Sequence, residues 1–204
     1  MSTKWVGILG TWAFQPEDTR REWFEAGSTF SESLKPYGLE PARPHDEFVW
    51  SGDLDGTWFA NGQDWEAGAV NLAQYLRAMP FEDRNVIAHS HGGTIAIRAA
   101  ARTPIRSLVT LGTPARKDTR AAGRLAMDAS LLGVWVHVSD RQFDLWGQLG
   151  ALMDGGWRLS RTMAIPGCHD VQLKGIGHSA LLSGAHGDRW EREGLFDVLR
   201  KGYR

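Results

Sequence analysis

Two patterns of apolar and polar positions alternate along the chain. The first consists of short apolar runs bounded by glycine, proline or polar residues, which is typical of buried strands in a parallel sheet. These runs lie at residues 5–10, 47–50, 85–89, 105–111 and 134–138, with a weaker one at 161–165. In the second pattern, apolar residues recur every three or four positions, as on the buried face of a helix. The predicted helices cover residues 17–37, 64–79, 92–101, 116–131 and 188–199.

Strands that alternate with helices predict a parallel sheet covered by helices on both faces. The sequence contains no internal repeat, low-complexity segment or linker, so we expect residues 1–204 to form a single domain. The predicted fold class is α/β, a three-layer sandwich with a mostly parallel central sheet of about six strands.

Charge and composition exclude several classes of partner. The chain has 23 basic and 24 acidic residues without a long run of either sign, so we expect no nucleic acid partner. Its single cysteine, Cys168, excludes an internal disulfide and a multi-cysteine zinc site. The first residues lack the apolar core of a signal peptide, and no stretch reaches the ~18 apolar residues of a membrane helix. We therefore expect a cytoplasmic protein without an integral membrane segment, although export without a signal peptide stays open.

The segment "NVIAHSHGGTIAIRAA", residues 85–100, carries the strongest chemical signal. His89 and His91 could share a metal ion, but such sites need further ligands and none follows closely. The glycine pair could also serve only to make a turn into a helix. A third interpretation explains more residues: Ser90 is a nucleophile on a sharp strand-to-helix turn, with small residues at Ala88 and Gly92 that let the turn close.

Five segments in this order resemble the α/β-hydrolase family, in particular its small lipase-like and esterase-like members. They read "ILGTWA", "FVWSG", "NVIAHSHGG", "LVTLGTP" and "GIGHSALL". The resemblance implies a minimal core that begins at the family's third strand and lacks its first antiparallel pair. Two positions depart from the family pattern: Leu9 replaces a histidine, and Ala88 replaces the first glycine of the nucleophile motif. Neither change removes a catalytic group.

The resemblance also implies that the catalytic base follows the acid and lies near the end of the chain. His178, in the glycine-flanked segment "GIGHSAL", matches the family's catalytic histidine. His169 and His186 are the alternatives, and both otherwise read as ordinary loop histidines. His137 lies inside the apolar run "VWVHV", which favours a packing role.

Two carboxylates follow the fifth predicted strand within "SDRQFDLWGQLG". Asp144 precedes leucine and tryptophan, like the acid-plus-apolar pattern of the family, and we favour it as the triad acid. Asp140 remains the alternative, but at two residues past the predicted strand it comes early for a chain that must turn back towards the histidine. The one that is not the acid would cap a turn.

The remaining parts of the predicted site are main-chain donors and a pocket wall. The backbone N–H groups of Thr11 and His91 would form the oxyanion hole, Thr11 by resemblance and His91 with the help of the helix N-terminus. Trp12 either lines an acyl pocket or is a plain core residue. The chemistry needs no metal and no organic cofactor. Only about twenty residues, predicted as one charged helix, occupy the place where the family often carries a lid.

These features predict a serine hydrolase that cleaves carboxylic esters through Ser90, His178 and Asp144 and an acyl-enzyme. The expected substrate is a small-molecule or lipid-like ester that reaches a fairly open site. A thioesterase, an amidase or an acyltransferase could use the same triad. A non-catalytic protein that uses the cleft for binding is the alternative outside enzymes.

Overall fold

The computed structural model describes residues 3–8, 10, 27–41, 62–140, 162–173 and 191–192. Six strands form one sheet in the order β2-β1-β3-β4-β5-β6. Every pairing between these described strands is parallel, which confirms the predicted sheet. The strands are β1 (Thr3–Ile8), β2 (Leu39–Pro41), β3 (Asn85–His89), β4 (Ile105–Leu111), β5 (Leu132–Asp140) and β6 (Cys168–Leu173).

Four helices have both of their ends within the described residues. They are α1 (Thr29–Leu34), α2 (Gly62–Arg77), α3 (His91–Ala100) and α4 (Lys117–Asp128), with 3-10 turns at Lys35–Tyr37 and Phe81–Asp83. The main core lies where α2, α3 and α4 cover one face of the sheet. Leu72 and Leu76 of α2 and Ile95 of α3 are fully buried there, together with Trp135 of β5. This face supports the turn between β3 and α3.

The central strands agree with the apolar pattern, whereas the flanking elements depart from it. Strands β3 and β4 have the predicted bounds, β1 begins and ends two residues earlier, and β5 extends two residues further at each end. The predicted helix at residues 17–37 does not run unbroken: Gly27 has a φ of 91°, and Ser28 caps α1 by accepting a hydrogen bond from the Ser31 N–H. Residues 17–26 of that prediction lie outside the described residues.

Strand β2 was missing from the sequence prediction, because it has only three residues and ends in proline. It pairs with β1 at the end of the described sheet, a place where a proline without an N–H group is tolerated. The strand predicted at residues 47–50 lies outside the described residues. So does most of the helix predicted at 188–199, of which Glu191 and Arg192 are described and helical.

The sixth strand was predicted too early, at residues 161–165, whereas β6 begins at Cys168. Asp170 explains the difference. Its carboxylate accepts hydrogen bonds from the backbone N–H groups of Met163 (2.8 Å) and Ala164 (3.2 Å), which therefore do not join a strand ladder. Ala164 has a φ of 48° and Gly167 a φ of 83°, so a turn replaces the predicted strand.

Candidate active site

The sheet order places the ends of β1 and β3 at a topological switch point. From β1 the chain moves to β2 on one side and then returns to β3 on the other side, after which the sheet grows only in that direction. Open parallel sheets bind ligands at the carboxyl ends of strands where the order reverses. The serine singled out in the sequence, Ser90, directly follows β3 at this position.

Ser90 has a strained backbone. Its φ of 53° and ψ of −128° lie far from the usual regions for a residue with a side chain, and such a conformation costs about 1–3 kcal/mol. The surrounding chain holds it: the Ser90 N–H donates to the Leu111 carbonyl at 2.9 Å, and the Ser90 carbonyl accepts from the Gly93 N–H at 3.0 Å. The geometry is typical of a nucleophile on a strand-to-helix elbow.

Gly10 lies directly against this serine. A Cβ atom added to Gly10 would be 2.5 Å from the Ser90 Cβ and 3.1 Å from its Oγ, so a side chain at this position would collide with Ser90. The segment that follows β1 therefore passes beside the serine. Thr11 and Trp12, the predicted oxyanion donor and pocket wall, come next in the chain but lie outside the described residues.

Gly93 provides a second close approach, on the other side of the turn. A Cβ atom at Gly93 would be 1.8 Å from Oγ1 of Thr113, in the segment "LGTP" after β4. The first turn of α3 therefore packs directly against that segment. Gly10 and Gly93 together show why small residues are needed here: Ser90 itself and the side chain of Thr113 occupy the space that their side chains would take.

His91 is the first residue of α3, and its half-buried imidazole contacts an indole. Backbone N–H groups in this position have no acceptor within their own helix, so they suit the binding of a developing negative charge. The ring centroids of His91 and Trp65 are 5.0 Å apart, and the Arg116 guanidinium lies 4.3 Å from the centroid of Trp65. The sequence predicted Trp65 only as an apolar helix position; no spacing rule indicates its contact with His91.

A network of ion pairs surrounds Trp65. Arg98 contacts Asp118 at 2.6 Å and Glu66 at 3.4 Å. Glu66 also binds Arg102, and Arg116 is 3.3 Å from Asp118. Burial by itself raises the pKa of Asp118, but the Arg116 and Arg98 guanidiniums and a backbone N–H group outweigh it and lower that pKa. Asp118 is therefore ionised at neutral pH and holds both arginines.

The two candidate acids are separated by the end of β5. Asp140 is the last residue of this strand and pairs with Leu173 of β6, so it does not follow the strand as the sequence predicted. Asp144, four positions further, lies outside the described residues. His178 also lies outside them, five positions after β6 ends at Leu173. Because all these strands are parallel, their carboxyl ends share the sheet edge at which Ser90 lies.

The structure assigns other positions to two of the remaining histidines. His137 is 1% exposed, and its Nδ1 is 2.9 Å from the hydroxyl of Thr110, which also accepts the indole N–H of Trp135 at 3.1 Å. This confirms the predicted packing role. His169 is not a loop histidine, as the sequence predicted, but an exposed residue of β6, four positions before the carboxyl end of the strand. His186 lies outside the described residues.

The described residues contain no group of three or more His, Cys, Asp or Glu side chains that could hold a metal ion. His89 is a fully buried strand residue, whereas His91 contacts Trp65. In the same part of the chain, no helix is both long enough and apolar enough to cross a membrane.

Three solved structures show a similar arrangement at low sequence identity. A predicted CIB-like hydrolase from Thermoplasma acidophilum matches with a TM-score of 0.58 and 13% identity, over 98% of this chain and 86% of its own. An alpha-beta serine hydrolase homologue from Coxiella burnetii matches with a TM-score of 0.52 and 17% identity, over 96% and 84%. For Est1E from Butyrivibrio proteoclasticus the TM-score is 0.51 and the identity 15%, over 99% and 88%. No protein-family model and no curated protein matches the chain in sequence.

The protein has the α/β-hydrolase fold. The parallel six-stranded sheet and these structural neighbours agree on it. The fold resemblance seen in the sequence is therefore confirmed.

Proposed function

We propose that the protein is a serine hydrolase that cleaves carboxylic esters. The observation that carries the proposal is the strained Ser90 at the switch point of the sheet, with Gly10 packed against it. Strain of this kind persists only where the surrounding structure imposes it, and it is frequent at catalytic residues. Several structural neighbours are described as hydrolases, which supports the same class of reaction.

In the proposed reaction, the Oγ of Ser90 attacks the ester carbonyl while His178 takes the hydroxyl proton. Asp144 holds His178 in the required orientation and stabilises its protonated form. The backbone N–H groups of Thr11 and His91 donate to the tetrahedral oxyanion. His178 then protonates the leaving alcohol, and a water molecule, activated by the same histidine, releases the acid from the acyl-enzyme.

The proposed substrate is a small-molecule or lipid-like ester, with Trp12 as one wall of the acyl pocket. Thioesters, amides and acyl transfer to another acceptor remain within reach of the same groups, because each passes through a similar tetrahedral oxyanion. A panel of p-nitrophenyl esters of increasing acyl length, compared with matched thioesters and anilides, separates these activities. We expect the oxygen esters to give the highest kcat/KM.

Labelling with a fluorophosphonate tests the nucleophile directly. We expect the probe to attach to Ser90, and we expect Ser90→Ala to fold normally while it loses labelling and ester hydrolysis by several orders of magnitude. Ser130→Ala is a matched control, because Ser130 also has a positive φ, of 55°, but lies between α4 and β5. Retention of more than about a tenth of the activity in Ser90→Ala would exclude Ser90 as nucleophile. A folded wild type that is neither labelled nor active would instead support a binding protein.

A further inference from the structure

We infer that Trp65 is a positioning residue for the oxyanion hole: it holds the imidazole of His91 and thereby fixes the backbone N–H of that residue. The inference rests on the proposed function, because it concerns the donor that would stabilise the oxyanion. Trp65 takes no part in bond making or breaking in this mechanism; it acts through His91.

The first step of the argument is the contact between the two rings. Trp65 is the fourth residue of α2 and only 3% exposed, and its ring lies 5.0 Å from that of His91 with a tilt of 35°. A ring held in this way restricts χ1 of His91 and so the backbone at the first residue of α3. This residue immediately follows Ser90, whose backbone is strained and has little freedom to follow a shift.

The second step concerns what holds Trp65. The Arg116 guanidinium lies 4.3 Å from the ring centroid and Arg98 lies 5.9 Å from it, distances at which a cation is attracted by an indole. Asp118 binds both arginines, and Glu66 also binds Arg98. Trp65 therefore has support from helix α3 and from the segment that leads into α4.

The third step is the precision that an oxyanion donor needs. A preorganised donor stabilises the transition state only if it points at the place where negative charge develops. The two residues after His91 are glycines, so neither offers a side chain that could help to orient this N–H. Among the described residues, the ring contact with Trp65 ties the side chain of His91 to a different helix, α2.

The experiment compares Trp65→Leu with Trp5→Leu. Both tryptophans are almost fully buried, and neither indole N–H has a hydrogen-bond partner among the described residues. We expect Trp65→Leu to lower kcat by about 10- to 100-fold, less than the loss of a whole donor, with KM within about twofold of the wild type. Inhibition constants for an alkyl trifluoromethyl ketone, which forms a tetrahedral oxyanion on the serine, should rise by the same factor. Trp65→Phe retains a ring and should recover most of kcat.

A control variant and a substitution of His91 distinguish this positioning role from a general loss of stability. Trp5→Leu should lower the thermal midpoint as Trp65→Leu does, yet keep the kcat of the wild type. His91→Ala, which removes the imidazole and keeps the backbone N–H, should reproduce the loss of kcat, and adding Trp65→Leu to it should change kcat little further. If Trp65→Leu does not fold, His91→Ala decides alone.

Two results would overturn the inference while the proposed function stands. The first is a labelled, active wild type whose kcat is unchanged by Trp65→Leu or by His91→Ala. The second is an equal loss of kcat in Trp5→Leu. A folded wild type that neither reacts with the fluorophosphonate nor hydrolyses any ester would overturn the proposed function, and the inference with it.

Discussion

Strands β3 and β6 both end at the same edge of the sheet, but they are held in different ways. Every residue of β3 is buried between β1 and β4, and the turn after it is packed against Gly10 and the "LGTP" segment. Strand β6 is paired with β5 alone among the described strands, and of its six residues only Leu173 is buried. The turn before it is held by the carboxylate of Asp170 and by the buried side chains of Met163 and Ile165.

The difference separates the two halves of the proposed mechanism. The proposed nucleophile, Ser90, and the proposed donor, the His91 N–H, follow the central strand β3, where the chain is closely packed. The proposed acid follows β5, and the proposed base follows β6, the more exposed strand at the end of the described sheet. We therefore expect a side chain added at the close-packed glycines beside Ser90 to change folding as well as activity, whereas substitutions at the proposed acid and base should change activity with little effect on folding.

The largest expected effect concerns the base. His178→Ala should reduce kcat/KM by about 10⁴- to 10⁶-fold, because the serine loses the group that takes its proton. His169→Ala should leave kcat/KM close to that of the wild type, since β6 places His169 away from the strand end. The measurement is a pH–rate profile on a short-chain ester. In the wild type, kcat/KM should rise with pH as the base loses its proton, and an unperturbed histidine does so near ~6.5. A defect in His169→Ala with none in His178→Ala would reverse the assignment.

The triad acid gives the next effect. Asp144→Asn should lower kcat by about 10⁴-fold, the size of the loss when the corresponding carboxylate is replaced in a serine protease. Asp140→Asn should retain most activity, because Asp140 is still part of β5 and the chain has not yet left the sheet there. Steady-state kinetics and thermal unfolding of both variants check the comparison. An inactive Asp140→Asn beside an active Asp144→Asn would move the acid to Asp140.

A smaller effect tests the close packing of the turn after β3. Gly93→Ala should destabilise the protein by about 1–3 kcal/mol, because its Cβ would overlap the side chain of Thr113. Combining it with Thr113→Ala removes the two atoms Oγ1 and Cγ2 from the collision and should recover part of the loss. Denaturant unfolding measures the free energy of unfolding of both variants, and fluorophosphonate labelling reports whether Ser90 stays reactive. Full stability in Gly93→Ala would mean that the turn is less tightly packed than the contact indicates.

The smallest effect tests the turn before the more exposed strand β6. Asp170→Ala should cost about 1–2 kcal/mol of unfolding free energy, because two backbone N–H groups lose a charged acceptor at a partly exposed site. Asp170→Asn retains one side-chain oxygen and should lose less. We expect both variants to keep most of the esterase activity if the turn only fixes the start of β6. A loss of activity that exceeds the loss of stability would show that this turn also positions the segment after Leu173.

The sequence was most informative where a strand is buried on both faces. The apolar runs at residues 85–89 and 105–111 predicted β3 and β4 residue for residue, since a central parallel strand is buried on both faces and is mainly apolar. The same rule failed at β6, where exposed and polar positions alternate irregularly, and at β2, which is too short for a pattern. The strand-to-helix turn at Ser90 could be predicted because such a turn needs small residues at fixed distances along the chain.

The sequence by itself therefore determined what patterns along the chain encode: the fold class, the central strands, and the turn that carries Ser90. Only the tertiary structure decided which residues meet across that turn. Gly10 approaches Ser90 from the segment after β1, far earlier in the chain, and Trp65 contacts His91 from another helix. Their positions depend on the sheet order and on how α2 packs against α3. Contacts of this kind carry no periodicity, because the partner's place in the chain is set by packing in three dimensions and not by spacing.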